Sequence, residues 1–303
     1  MTAPFPSPTK VWYTNAQAAG SPSRPENSAK GKNVLVTGGG SGIGAETARY
    51  FAEAGASRIA LLGRREQPLL DTKASINEKF PNVDVFVAST DVTNKADVDA
   101  AFLEFLGEEK LHVVVSNAAM IGPQDSVRIV DSEKFLGSIQ HNLKGSLNVA
   151  QAFLRHASKD AVAIDVNSSA AHLNFADAFG AYSIAKLAVF RLWDSLAFGN
   201  PELSVFHVQP GVVKTEMNRE AGGTEAVGFE DHVSMPASFN LWLASPEARF
   251  LKGKFLWANW DIEELKKNAK DIEAGQRFSV GLVGWPFDQD GFKVQLTEES
   301  SWN

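Results

Sequence analysis

The chain has 303 residues, 44% of them apolar, enough for one large α/β domain or two modest ones. Its formal charge of -7 argues against nucleic-acid binding, which draws on a basic surface to displace counterions from phosphates. The sequence contains no cysteine, so disulfides, thiolate nucleophiles and cysteine-held metals are excluded, and a reducing cytosol is the expected location.

The first 30 residues are rich in Pro, Ser and Asn, and predict an irregular arm with Val11, Trp12 and Tyr13 as its packing residues. They lack the apolar run of a secretion signal. No later segment reaches the roughly 20 apolar residues of a membrane span, so no membrane partner is expected. From Asn33 onward, short β-rich runs alternate with longer helical patterns. The runs are NVLVT (33–37), RIALL (58–62), VDVFV (83–87), HVVVS (112–116), AVAIDV (161–166), SVFHV (204–208) and KFLWA (254–258). Helices are predicted over Ile43–Ala54, Glu66–Lys79, Asn94–Leu106, Asp131–Ala157, Ala181–Phe198 and Pro236–Ala244.

Strands this continuously apolar are buried on both faces. The pattern therefore predicts an α/β single domain over residues 31–260: a doubly wound, seven-stranded parallel sheet of the Rossmann type, with its ligand site at the carboxyl ends of the strands. Beyond residue 260, EELKKNAKDIEAGQ predicts one more helix, followed by an aromatic, Gly-rich terminus. This C-terminal extension, 261–303, is expected to serve as a lid or an interface.

The first strand runs into TGGGSGIG (37–44), a G-x-x-x-G-x-G spacing at a strand-to-helix turn. There backbone N–H groups and a helix N-terminus can meet a pyrophosphate, which makes Gly38, Ser41, Gly42, Ile43 and Gly44 candidate cofactor residues. The second strand ends LLGRRE. An acid at this place would bind ribose hydroxyls; here Gly63 stands there and Arg64 and Arg65 follow, which favours the 2′-phosphate of NADP(H) over NAD(H). In NSSAAHLNFADAFGAYSIAK (167–186), Tyr182 and Lys186 lie four apart on one helix face. A phenol ordinarily ionises near pH 10, so proton transfer near neutrality needs electrostatic help, which a neighbouring ammonium can give. Ser169 ends the preceding strand, within reach of a substrate oxygen. No His, Asp or Glu grouping has metal-ligand spacing.

Taken in order, TGGGSGIG, SNAA, NSSA and Y-S-I-A-K resemble the short-chain dehydrogenase/reductase family in its compact single-domain branch, over about residues 30–260. Ser169 and Tyr182 also show the thirteen-residue separation common in that family. The arm resembles those of fungal members. The resemblance implies that Tyr182 is the general acid/base, that Lys186 binds the nicotinamide ribose and assists Tyr182, that Ser169 orients the carbonyl, and that Asn142 completes a tetrad by holding a relay water. It further implies that Asp91 and Val92 meet the adenine, that Asn117 braces the central sheet, and that Pro210, Gly211, Val213 and Thr215 contact the nicotinamide side. Asp91 also reads as a turn residue, Asn117 as a buried hydrogen-bonding group and Pro210–Gly211 as a strand terminator. SNAA departs from the family in Ser116 and Ala119, which removes no catalytic group.

His172, Asn174, Phe175, Asp177 and Phe179 fall in the substrate-facing segment, with His172 the weaker candidate for an extra acid. Glu216–Met235, containing Gly222, Gly223 and Gly228, reads as a lid, and Trp257 and Trp260 as packing residues. The activity implied is an NADP(H)-dependent oxidoreductase interconverting a carbonyl and a secondary alcohol. Its expected substrate is a small apolar or aromatic molecule of the kind met in secondary metabolism. The family's habit implies a homodimer or homotetramer. Two rival readings share these residues: a cofactor-bound scaffold enzyme for non-redox chemistry, and a protein that senses NADP(H) without turnover.

Overall fold

The computed structural model describes residues 3–225 and 227–281. Among these, seven strands form one all-parallel sheet: β1 (Asn33–Thr37), β2 (Arg58–Gly63), β3 (Asp84–Ser89), β4 (Leu111–Ser116), β5 (Ala157–Val166), β6 (Ser204–Gln209) and β7 (Phe255–Trp257). Their order is β3-β2-β1-β4-β5-β6-β7. The chain winds outward from β1 through β2 to β3, then returns to the other side of β1 at β4. The strand order reverses there, opening a crevice at the carboxyl ends of β1 and β4.

Alternate residues of β1 to β6 feed two cores. Val34, Val36, Ile59 and Leu61 face one way, onto α1 (Gly42–Glu53), α2 (Glu66–Lys79) and a later helix, Ser234–Leu243. Leu35, Ala60, Leu62 and Val114 face the other, onto α3 (Lys95–Leu106), α4 (Ser132–His156) and α5 (Gly180–Gly199). This period-two split explains why the strands read as unbroken apolar runs. The Asp131 carboxylate accepts from the Lys134 N–H and starts α4, and the Asn94 side chain accepts from Ala96 N–H and starts α3. Trp193 Nε1 donates to Ser146 Oγ at 2.8 Å, tying α5 to α4.

The remaining helices are α6 (Glu216–Glu220), α7 (Ser234–Leu243), α8 (Ile262–Lys267) and α9 (Ala269–Ala274). Four differences from the sequence reading stand out. β5 begins at Ala157, four residues earlier than expected, because the register with β4 slips between Leu111 and Val113 and absorbs the exposed start. β7 is confined to Phe255–Trp257. The single helix expected over 263–276 is two short ones, broken at Asn268, whose backbone leaves the helical region while its Nδ2 donates to Glu264 O at 2.8 Å. The lid segment contains helix α6 and the start of α7. The aromatic terminus reaching Trp302 lies mostly outside the described residues.

The arm is irregular but well attached. Gln17 is buried; its Nε2 donates to Ala258 O and Trp260 O, and its Oε1 accepts from Ile262 N–H. Trp12 is buried against Trp257, with ring centroids 5.8 Å apart, whereas Val11 is exposed. Gly20 lies so close to α7 that a Cβ there would be 2.6 Å from Ser238 O.

Candidate active site

A cavity of about 660 Å³ opens at the carboxyl ends of β1, β2, β4 and β5. The turn between β1 and α1 forms its floor. Gly38 takes φ +67°, a conformation open to glycine, and Ser41, Gly42 and Ile43 also line the space. Gly44 lies beneath the turn: a Cβ on it would stand 2.3 Å from Gly38 O and 2.7 Å from Asn117 Nδ2. Thr37 fastens this turn to β4. Its buried Oγ1 accepts from the N–H groups of Asn117 (2.9 Å) and Ala118 (3.0 Å), and Asn117 Nδ2 donates to Thr37 O at 3.0 Å. A glycine-backed cradle with main-chain donors suits a dinucleotide's pyrophosphate.

Gly63, Arg64 and Arg65 line the cavity at the end of β2, facing Asp91 and Val92 at the end of β3. Asp91 Oδ1 accepts from Thr93 N–H (2.9 Å) and Thr93 Oγ1 (2.8 Å), and these two bonds hold its carboxyl below the usual range. Asp91 thus stabilises its own turn while lining the cavity. His141 of α4 joins the same wall. Burial, reinforced by the Arg64 guanidinium, lowers its pKa, with Asp91 pulling the other way.

Tyr182, Lys186, Val166 and Asn167 line the wall towards β5. Lys186 is buried, donates from Nζ to Val166 O at 2.9 Å, and lies 5.8 Å from the centre of the Tyr182 ring. Behind it, Asn167 Nδ2 donates to Lys186 O at 3.2 Å and to Asp165 Oδ2 at 2.6 Å, and His207 Nδ1 pairs with that same oxygen at 3.0 Å. This buried chain fixes the base of α5 to β5 and β6. Ser169 is buried beside the cavity rather than lining it, and its N–H donates to Gln209 Oε1 at 2.8 Å. Asn142 is likewise set back. Its Nδ2 donates to Met120 O and Ser138 O and its Oδ1 accepts from Met120 N–H, all at 3.0 Å, so the side chain pins Met120.

Pro210 and Thr215 reach the cavity, whereas Gly211 and Val213 do not. Gly211 has φ +87° and packs on Asp231, whose Oδ2 would be 2.5 Å from a Cβ there. Val213 pairs with Asp231 in a short parallel bridge. Asp231 is buried: its Oδ2 accepts from Val212 N–H at 2.8 Å and its Oδ1 from Asn259 Nδ2 at 3.1 Å. Desolvation nevertheless raises its pKa. Asn259 Nδ2 also donates to Tyr13 O at 2.8 Å, so arm, lid and the 210–215 loop share one clasp. Thr37, His141, Gln209, Asp231 and Asn259 escaped the sequence reading; a polar Gln209 closing an apolar buried strand was the one local signal. His172 turns towards packing, its Nε2 accepting from Trp257 Nε1 at 3.3 Å and its ring edge-on to Phe255 at 4.8 Å. Trp257 and Trp260 are both buried.

A family model for short chain dehydrogenase matches residues 32–226. A short chain dehydrogenase/reductase of Claviceps purpurea is 33% identical over 288 residues, covering 92% of this chain and 95% of its own. The Aspergillus aculeatus short chain dehydrogenase/reductase AacuD is 32% identical, covering 84% and 89%. Among solved structures, a short chain dehydrogenase from Pseudomonas syringae superimposes with a TM-score of 0.70 at 26% identity, over 78% of this chain and 97% of its own. One from Shigella flexneri, complexed with NADP, gives 0.69 at 24% identity, over 77% and 99%. No helix among the described residues is long and apolar enough to cross a membrane. The chain belongs to the short-chain dehydrogenase/reductase family of oxidoreductases.

Proposed function

We propose that this protein is an NADP(H)-dependent reductase that interconverts a carbonyl and a secondary alcohol on a small apolar or aromatic molecule. The observation that carries the reading is a single cavity with Arg64 and Arg65 in one wall and Tyr182 and Lys186 in another. Arginine is suited to a 2′-phosphate, and Gly63 offers no carboxylate to the ribose hydroxyls that NAD(H) would present. The bound nicotinamide would supply or accept the hydride.

The chain's own groups handle the proton and the geometry. Tyr182 gives its phenolic proton to the substrate oxygen during reduction and takes it back during oxidation. Lys186, steadied by Val166 O, sets its Nζ beside the Tyr182 ring and leaves further N–H bonds for the ribose hydroxyls. Ser169 orients the substrate oxygen from a backbone position fixed by Gln209. Asn142 holds the Met120 segment at the nicotinamide side. Gly38, Ser41, Gly42, Ile43 and Asn117 shape the phosphate turn, Asp91 and Val92 the adenine side, and Pro210 and Thr215 the far wall. Leu147 and Leu154 on α4, with Leu187 and Phe198 on α5, are exposed and form the surface we assign to self-association in the cytosol.

The test is to offer NADPH or NADH with a panel of ketones, quinones and aldehydes, and to follow cofactor consumption and products. The reading expects turnover preferring NADPH. Products at an unchanged oxidation level would replace it with the non-redox scaffold, and tight binding without turnover on carbonyls and alcohols alike with the sensor.

A further inference from the structure

The two arginines after β2 have different surroundings. Arg64 faces Asp91 and His141 across the cavity. Arg65 instead makes a bidentate pair with Glu216, the first residue of α6: Nη2 donates to Oε2 at 2.6 Å and Nη1 to Oε1 at 3.2 Å. Both side chains line the cavity. The pair therefore joins the cofactor side, at the end of β2, to the lid side, immediately after Thr215. At its other end α6 is held by Gln124, whose Nε2 donates to Glu220 O. The N-terminus of α6 sits close over the phosphate turn, since a Cβ on Gly42 would stand 2.9 Å from Thr215 Cγ2.

A carboxylate gripped by both guanidinium nitrogens occupies the same fork that a phosphate monoester would take. The pair is more than half exposed on both partners, at 61% for Arg65 and 51% for Glu216, so exchange of Glu216 for a stronger dianion meets little structural resistance. We propose that Glu216 is a specificity-determining residue: it holds Arg65 as an internal stand-in for the 2′-phosphate, and the 2′-phosphate of NADP(H) displaces it, freeing the start of α6. NADH has no group to take Arg65 from Glu216, so α6 stays tethered when NADH binds. This inference rests on the NADP(H) reading and extends it from Arg64 to a lid residue outside the arginine turn.

The test is a double-mutant cycle on the full chain, with Glu216→Gln, Arg65→Gln and both together, titrating NADPH and NADH by calorimetry. Glu216→Gln is expected to tighten NADPH by about two- to fivefold, the scale of an exposed ion pair, and to leave NADH unchanged. In the Arg65→Gln background, Glu216→Gln should lose that effect. An equal gain for both cofactors, or an undiminished gain without Arg65, overturns the proposal. Failure of the underlying reading has a different signature, wild-type protein binding NADH more tightly than NADPH, and that result removes the proposal with it.

Discussion

Thr37→Val removes one hydroxyl and keeps the side chain's shape, at a position only 1% exposed. In the wild type Oγ1 accepts from two main-chain N–H groups, those of Asn117 and Ala118. Without it, both donors, which are part-buried at the cavity wall, face an isopropyl group. Each unpaired donor costs about 1–3 kcal/mol, so the substitution should destabilise the fold by about 2–6 kcal/mol. With a urea slope of about 3 kcal/mol/M, a loss in the middle of that range lowers the midpoint by about 1 M. The damage should also reach the phosphate turn, since Gly38 follows Thr37 directly, so NADPH affinity should fall as well. Urea unfolding followed by tryptophan fluorescence gives the first number and NADPH titration the second. A midpoint within about 0.2 M of wild type, the slope unchanged, would refute the claim that Thr37 is the fastener between the turn and β4.

Three further predictions follow from the same geometry. Gly44→Ala places a Cβ 2.3 Å from Gly38 O, so it should weaken NADPH binding at least about tenfold by pushing the turn outward, as read by titration; unaltered affinity contradicts the packing. Asp231→Ala strands Val212 N–H and one bond of the Asn259 amide, and should cost about 2–4 kcal/mol while making the 216–235 segment more sensitive to limited proteolysis. His112, His141, His156 and His172 all have lowered pKa values, with burial the largest cause for each. Below the ordinary histidine value of 6.5 the unfolded chain takes up protons that the folded chain refuses, so stability is lost as pH falls through that value towards the lower folded ones. Melting at pH 5.5 should come at a lower temperature than at pH 7.5; the carboxylates with lowered pKa values act only at more acidic pH.

The sheet was legible because each strand is apolar on both faces, and the strand-to-helix turn because its glycines follow β1 immediately. Tyr182 and Lys186 could be placed in one site from helical spacing alone, and Arg64 from its position after β2. What stayed hidden depends on partners far away in sequence. Thr37 looks like the last residue of a strand until Asn117, 80 residues on, is brought against it. Gln209 gains its meaning from Ser169, in the short helical turn that follows β5. The attachment of the arm rests on Gln17 meeting carbonyls more than 240 residues away, and composition registers only that the arm is irregular. The helix break at Asn268 was missed because the Lys and Glu pattern on both sides continues across it.

The most direct test of the account is Tyr182→Phe, compared with wild type for NADPH binding and for carbonyl turnover in one buffer. Removing a single phenolic oxygen beside Lys186 should leave cofactor affinity within about twofold while turnover falls by about 10²-fold or more, the range of a lost general acid. Turnover that survives in Tyr182→Phe, with binding intact, would contradict the assignment of Tyr182 as the proton donor.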